Sequence, residues 1–228
     1  MAITLNGTDM SQVYLNGTRM SVVNINGTEA YRAANGDVTL VYTGGPSGTF
    51  SPGVEDANRY FVLVGAYFSS DPLPNPATPT INGVAMTTIV IGNNSGADGG
   101  ITGIYAIKIP TGTGTFTLAQ PAQQLASIAI YRVTGISSMT TSTALSYGSS
   151  ASSITGAKTS SANGCFFGVS VSNFSTPAYP TPNSTGLLVA IGSYERIAAS
   201  NVTTGPTQTV SLTGNQINSY AIFGYDLY

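Results

Sequence analysis

The sequence contains no histidine, no tryptophan and one cysteine, and only 7% of its residues are charged, against roughly 25% in an average globular protein. Without histidine, the commonest general base and the commonest metal ligand are both missing. The seven Lys and Arg are scattered singly. Binding to a phosphate backbone needs clustered cations, so nucleic acid is not an expected partner. Cys165 has no second thiol to pair with. It sits in the apolar run Gly164-Cys165-Phe166-Phe167-Gly168-Val169, with no cationic neighbour to activate it, and reads as a small core side chain. No uncharged apolar stretch reaches the roughly 18 residues of a spanning helix, so membrane insertion is not expected. The opening residues, MAITLNGTDM, lack the basic start and apolar core of an export signal. These absences point away from an enzyme, and no cofactor or metal is expected.

What is present is glycine, hydroxyl residues and short apolar runs. The chain has 228 residues, 27 of them Gly, with 42% hydrophobic residues and a net charge of −2. Such a chain is too apolar for disorder and long enough for one sizeable domain with a small appendage. The appendage is a repeat of ten-residue period: Leu5-Asn6-Gly7-Thr8-Asp9-Met10, Leu15-Asn16-Gly17-Thr18-Arg19-Met20 and Ile25-Asn26-Gly27-Thr28-Glu29-Ala30. Asn-Gly is the favoured pair for a type I′ turn because both residues accept positive φ. Short strands joined by tight turns are therefore expected. Such a unit cannot bury a core of its own. It must dock on the main domain, on copies of itself, or on another protein. Residues 1–36 are accordingly read as an attachment segment. Its candidate interface residues are Val13, Leu15, Asn16, Gly17, Met20, Val23, Ile25, Asn26, Gly27 and Tyr31.

Residues 37–228 read as strand after strand, with expected spans at 38–42, 60–68, 80–82, 84–91, 101–109, 115–119, 126–134, 142–147, 165–172, 187–194, 207–212 and 220–228. Turn signals separate them, among them Ser51-Pro52-Gly53, Asn82-Gly83, Thr111-Gly112-Thr113-Gly114 and Thr213-Gly214-Asn215. No segment sustains a helical period. Residues 61–68 and 187–191 are apolar on both faces, whereas 207–212 alternate. A strand apolar on both faces is central in its fold or lies at a subunit interface. The expected fold class is all-β, a jelly-roll-like β-sandwich preceded by the short repetitive hairpin segment.

No constellation of reactive side chains stands out. Glu55-Asp56 reads as a solvated pair ahead of a strand, and Glu195-Arg196 as a surface ion pair. The loop at 92–100 offers one carboxylate and two amides, too few for a calcium loop. Loop aromatics and stiff proline segments are better contact candidates. The residues singled out for receptor contact are Pro74 and Asn75 in the Pro-rich loop, Asn94 and Asp98 in the Gly-rich loop, and Tyr179 between Pro177 and Pro180.

Two stretches carry a resemblance. One runs from Val13 through Asn16-Gly17-Thr18 and Asn26-Gly27-Thr28 to Tyr31. The other contains "RYFVLVGAYFSS", "PTINGVAMTTIVI", "GIYAIKIPTGTGTFTL" and "ASIAIYRVTG" in that order, between residues 59 and 135. Together they resemble small structural proteins of tailed bacteriophage particles. The resemblance implies a non-enzymatic protein anchored through residues 1–35 and displaying a sandwich knob as capsid decoration, head fibre or spike. It implies partners among the other virion proteins, a homo-oligomer with a trimer favoured, and assembly in the bacterial host cytoplasm onto the particle surface. The alternative is a tail-fibre module whose tip loops bind a host-surface glycan or protein. No catalytic residue is implied by either.

Overall fold

The computed structural model describes the backbone of residues 4–5, 8–9, 13–15, 18–20, 22–25, 28–32, 38–69, 76–93, 99–120, 125–134, 145–147, 151–159, 164–172, 187–190, 195–200 and 207–226, and the side chains of residues 38–67, 76–92, 100–120, 125–134, 167–169 and 171. Each ten-residue repeat pairs with itself. β1 (Thr4–Leu5) pairs with β2 (Thr8–Asp9), β3 (Val13–Leu15) with β4 (Thr18–Met20), and β5 (Val22–Ile25) with β6 (Thr28–Arg32). The innermost partners are Leu5 with Thr8, Leu15 with Thr18 and Ile25 with Thr28. Each pairing leaves only an Asn and a Gly between the strands. A two-residue connection of that composition fixes the register of a hairpin.

The described residues of the body follow in fifteen strands. These are β7 (Val38–Gly44), β8 (Ser47–Phe50), β9 (Tyr60–Ser69), β10 (Thr80–Ile81), β11 (Val84–Ala85), β12 (Thr87–Asn93), β13 (Gly99–Lys108), β14 (Phe116–Ala119), β15 (Ser127–Val133), β16 (Leu145–Tyr147), β17 (Ala151–Thr159), β18 (Gly164–Ser172), β19 (Leu187–Ala190), β20 (Glu195–Ser200) and β21 (Thr207–Asp226). They form a four-stranded sheet in the order β11-β10-β14-β8 and a five-stranded sheet in the order β12-β13-β9-β15-β7. A six-stranded sheet follows the order β16-β21-β18-β20-β19, with β17 also on β21. All pairings are antiparallel and the described residues contain no helix. The fold is an all-β sandwich, as the sequence led us to expect.

The three sheets stack in layers, and β9 shows why its sequence is apolar throughout. Successive side chains of a strand point to opposite faces. Phe61 and Leu63 join Phe50, Ile81, Phe116 and Leu118 in the core against the four-stranded sheet. Tyr60, Val62, Val64 and Ala66 join Phe167, Val169 and Val171 in the core against the six-stranded sheet. The five-stranded sheet is thus covered on both faces within one chain, and β9 needs no subunit interface to hide it. Gly65 is the gap in this series. A Cβ there would meet Leu125 Cδ1 at 2.9 Å and Ile128 Cγ1 at 3.3 Å, so the glycine lets those side chains close over the strand without having to give way.

Two expectations need correction. The turn expected at Thr213-Gly214-Asn215 lies inside the continuous strand β21. Its pairing with β17 slips there, with Thr213 opposite Ser153 and Ile217 opposite Ala151, so the glycine marks a register shift rather than a reversal. β8, β17 and β20 were not anticipated, because Ser47-Gly48-Thr49-Phe50 and the Ser/Thr/Ala-rich 151–159 and 195–200 lack apolar alternation. Of the strand expected over 187–194, β19 shows Leu187–Ala190, and residues 191–194 lie outside the described residues.

Candidate attachment surface

The expected interface residues of the N-terminal segment fall where hairpin pairing brings several of them together. Val13 stands opposite Met20, and Leu15 is two residues along the same strand. Val23 stands opposite Tyr31, beside a register shift between Val23 and Asn24, and Ile25 closes the third hairpin. Asn16, Gly17, Asn26 and Gly27 lie outside the described residues. So do all five receptor-contact candidates, Pro74, Asn75, Asn94, Asp98 and Tyr179. Asn94 and Asp98 fall between the paired strands β12 and β13.

A fourth hairpin of the same design sits inside the body, fully described. Thr4, Asn6, Gly7 and Met10 of the first repeat recur as Thr80, Asn82, Gly83 and Met86, with Leu5 replaced by Ile81. Sequence reading took Asn82-Gly83 as an isolated turn. The recurrence of the flanking Thr and Met was the signal that would have joined it to the series. Asn82 has φ 51° and Gly83 φ 77°, the pair of positive values that a type I′ turn requires. Ile81 is fully buried between the sheets, while Val84 on the outer strand is 58% exposed.

The asparagine of this hairpin does more than turn the chain. Its backbone N–H donates to the Thr117 carbonyl at 2.9 Å. Its side-chain Oδ1 accepts from the Thr117 N–H at 2.8 Å. One residue thus brackets both polar groups of Thr117 and extends the β10–β14 ladder one step past the last regular pair. The Thr80 hydroxyl adds a bond to the Ala119 carbonyl at 3.2 Å. The register between these bonds sets Ile81 against Leu118.

The neighbouring end of the sandwich is fixed by Arg59, which sequence reading did not single out. Arg59 is fully buried and all five of its N–H donors reach backbone carbonyls. Nε donates to Ile109 at 2.8 Å, Nη1 to Val54 at 2.9 Å and Gly53 at 3.3 Å, and Nη2 to Thr111 at 2.7 Å and Gly112 at 2.9 Å. The rings of Phe61 and Phe116 lie 5.3 and 5.5 Å from the guanidinium carbon, a cation–π arrangement. Desolvation lowers its pKa and the nearby Glu55 carboxylate opposes that shift. The guanidinium stays charged in any case. Glu55 is exposed, as expected, and both acids also hold backbone N–H groups: Glu55 Oε1 accepts from the Gly112 N–H at 2.5 Å, and Asp56 Oδ1 from the Asn58 N–H at 2.7 Å. These bonds tie the β8–β9 and β13–β14 connections into one rigid rim. Nothing in this arrangement activates a nucleophile or poises a general base. Among the described residues no three metal-ligating side chains cluster. No protein-family model, curated protein or solved structure matches the chain.

Proposed function

We propose that the protein is a non-enzymatic structural component of a tailed-phage particle, attached through residues 1–35 and displaying the sandwich outward as a capsid decoration, head fibre or spike. The observation that carries this reading is the tandem of three self-paired Asn-Gly hairpins ahead of the sandwich. A two-stranded hairpin is marginal by itself in water, so a row of them gains its stability from what it docks on. The sandwich behind them is nearly uncharged and pinned at one rim by Arg59, which suits a rigid displayed knob. Several copies acting together, a trimer in our reading, turn weak hairpin contacts into avidity. Antibody against residues 37–228, applied to purified particles and viewed by electron microscopy, tests the proposal. Label spread over the capsid is the expected result. Label confined to the tail would transfer the role to a receptor-binding fibre, and unlabelled particles would overturn the structural reading.

A further inference from the structure

We infer that the Asn-Gly hairpins at residues 4–32 are strand clasps, and that their acceptor is the free edge of β8, at Thr49, in a second copy of this chain. The inference rests on the reading of residues 1–35 as an attachment segment. Its starting point is the one hairpin of the series seen docked. There Asn82 brackets the N–H and C=O of Thr117, and Ile81 is covered by apolar neighbours. The three N-terminal copies carry the same elements: Asn6, Asn16 and Asn26 in the bracket position, and Leu5, Leu15 and Ile25 before it.

The acceptor follows from the ladder. Thr117 turns its polar backbone groups toward β10, as its bonds to Asn82 show. In an antiparallel pair the residue directly opposite then turns its own groups the other way. That residue is Thr49. Its N–H and C=O therefore face the outer side of β8, where the strand order of this sheet ends. The Tyr42 hydroxyl agrees with that orientation two residues along, since it reaches the Ser47 carbonyl at 3.0 Å, and among the described residues none bonds the Thr49 backbone on that side. Thr49 is exposed. Along the strand direction Thr49 is followed by Phe50 as Thr117 is followed by Leu118, so the residue that would meet the clasp's apolar side chain is large and apolar in both. Each chain thus offers three clasps and one open acceptor of matching design. A clasp from one copy on the edge of the next is a head-to-tail contact, which closes into a ring when the rotation allows. The outer strands of the clasps carry Asp9, Arg19 and Glu29, and charges on an edge strand stop further addition.

The test is sedimentation of the full chain across a range of concentrations. Replacing Asn6, Asn16 and Asn26 together by Gly keeps the turns, because Gly-Gly also adopts type I′, but deletes the bracketing oxygen. Thr49→Pro removes the acceptor N–H at an edge position where proline is tolerated. The wild type should associate, and each variant alone should sediment as a monomer. A mixture of the two should form complexes of one Thr49→Pro chain with at most three triple-glycine chains and grow no further, because one partner keeps three clasps and no acceptor and the other one acceptor and no clasp. If Thr49→Pro does not fold by circular dichroism, the triple glycine variant carries the test, since it leaves the body untouched. A monomeric wild type, or a triple variant that still associates, overturns the inference. If the triple variant stays associated yet no longer enters particles, the clasp idea falls while the attachment reading stands. If association depends on the clasps but intact particles carry no label, the reverse holds.

Discussion

One hairpin design occurs in two settings in this chain. At residues 80–86 it is docked: its first strand pairs with β14 and Ile81 enters the core. At residues 4–32 it occurs three times, each copy forming a separate two-stranded sheet among the described residues. The turn and the apolar residue before it are shared, so they specify the hairpin. The outer strand differs. The body copy has Val84-Ala85, whereas the tandem copies have Thr8-Asp9, Thr18-Arg19 and Thr28-Glu29. The comparison separates what makes a hairpin from what makes it stable. The turn sets register, and burial of one large apolar side chain adds about 1.5–3 kcal/mol, which Ile81 collects in the docked copy.

The comparison breaks hardest at Arg59, which anchors the body. Arg59→Ala removes a fully buried guanidinium and its bonds to five partly buried carbonyls, and takes the cation away from the rings of Phe61 and Phe116. Removing one side of a buried charged network costs about 3–5 kcal/mol. Denaturant unfolding followed by tyrosine fluorescence should show a loss of that size. A change below about 1 kcal/mol would mean that water replaces the guanidinium at no cost.

Next comes the apolar residue of the hairpin itself. Ile81→Ala should destabilise the body by about 2–5 kcal/mol, through lost burial and the cavity left behind. Leu15→Ala, at the equivalent position of the second tandem copy, should leave the same unfolding transition within about 0.5 kcal/mol. Equal losses at both positions would show that the tandem hairpins pack on their own sandwich and would undo the comparison.

Alkali should also act on the body. Burial pushes the Tyr105 hydroxyl up to about 12 and raises that of Tyr131 as well. Both phenols are held neutral in the fold, whereas in the unfolded chain they ionise near 10. Above that pH the unfolded state releases protons that the folded state retains. Stability therefore falls by about 1.4 kcal/mol per pH unit for each such tyrosine, until the folded pKa is reached. Below pH 10 these two groups contribute no slope. Phenolate absorbance during an alkaline titration should rise in a late, cooperative step with unfolding, and Tyr105→Phe should weaken that step.

How far the sequence announced this structure depends on how local the signal is. Asn-Gly between an apolar residue and Thr is a complete instruction for a hairpin, and all three tandem copies were legible with their register. The run from Phe61 to Ala66 announced a strand covered on both sides, although not that the same chain supplies both covers. Layer order is set by contacts far apart in sequence, such as Phe167 on Tyr131, with ring centroids 5.4 Å apart. β8 was invisible because Tyr42 fills the space over Gly48 that a side chain of its own would occupy, with Tyr42 atoms within 2.9 Å of a Cβ built there. A strand whose apolar cover is borrowed from its neighbour shows no alternation to read. Arg59 was hidden for a similar reason. Its partners are backbone carbonyls, which carry no sequence signature.

The smallest effect tests the most specific part of the comparison, the second role of the asparagine. Asn82→Gly keeps a residue at ease with φ near 51° but removes the oxygen that accepts from Thr117. The expected loss is about 1 kcal/mol, the net worth of one ordinary hydrogen bond. Asn82→Asp retains both the turn preference and an acceptor, and should fall within about 0.5 kcal/mol of wild type. If the aspartate costs as much as the glycine, the asparagine serves the turn in some other way and the bracket on Thr117 contributes nothing. Asn16→Gly should leave the unfolding of the body unmoved if, as we infer, the bracket made by Asn16 closes on a second copy of the chain.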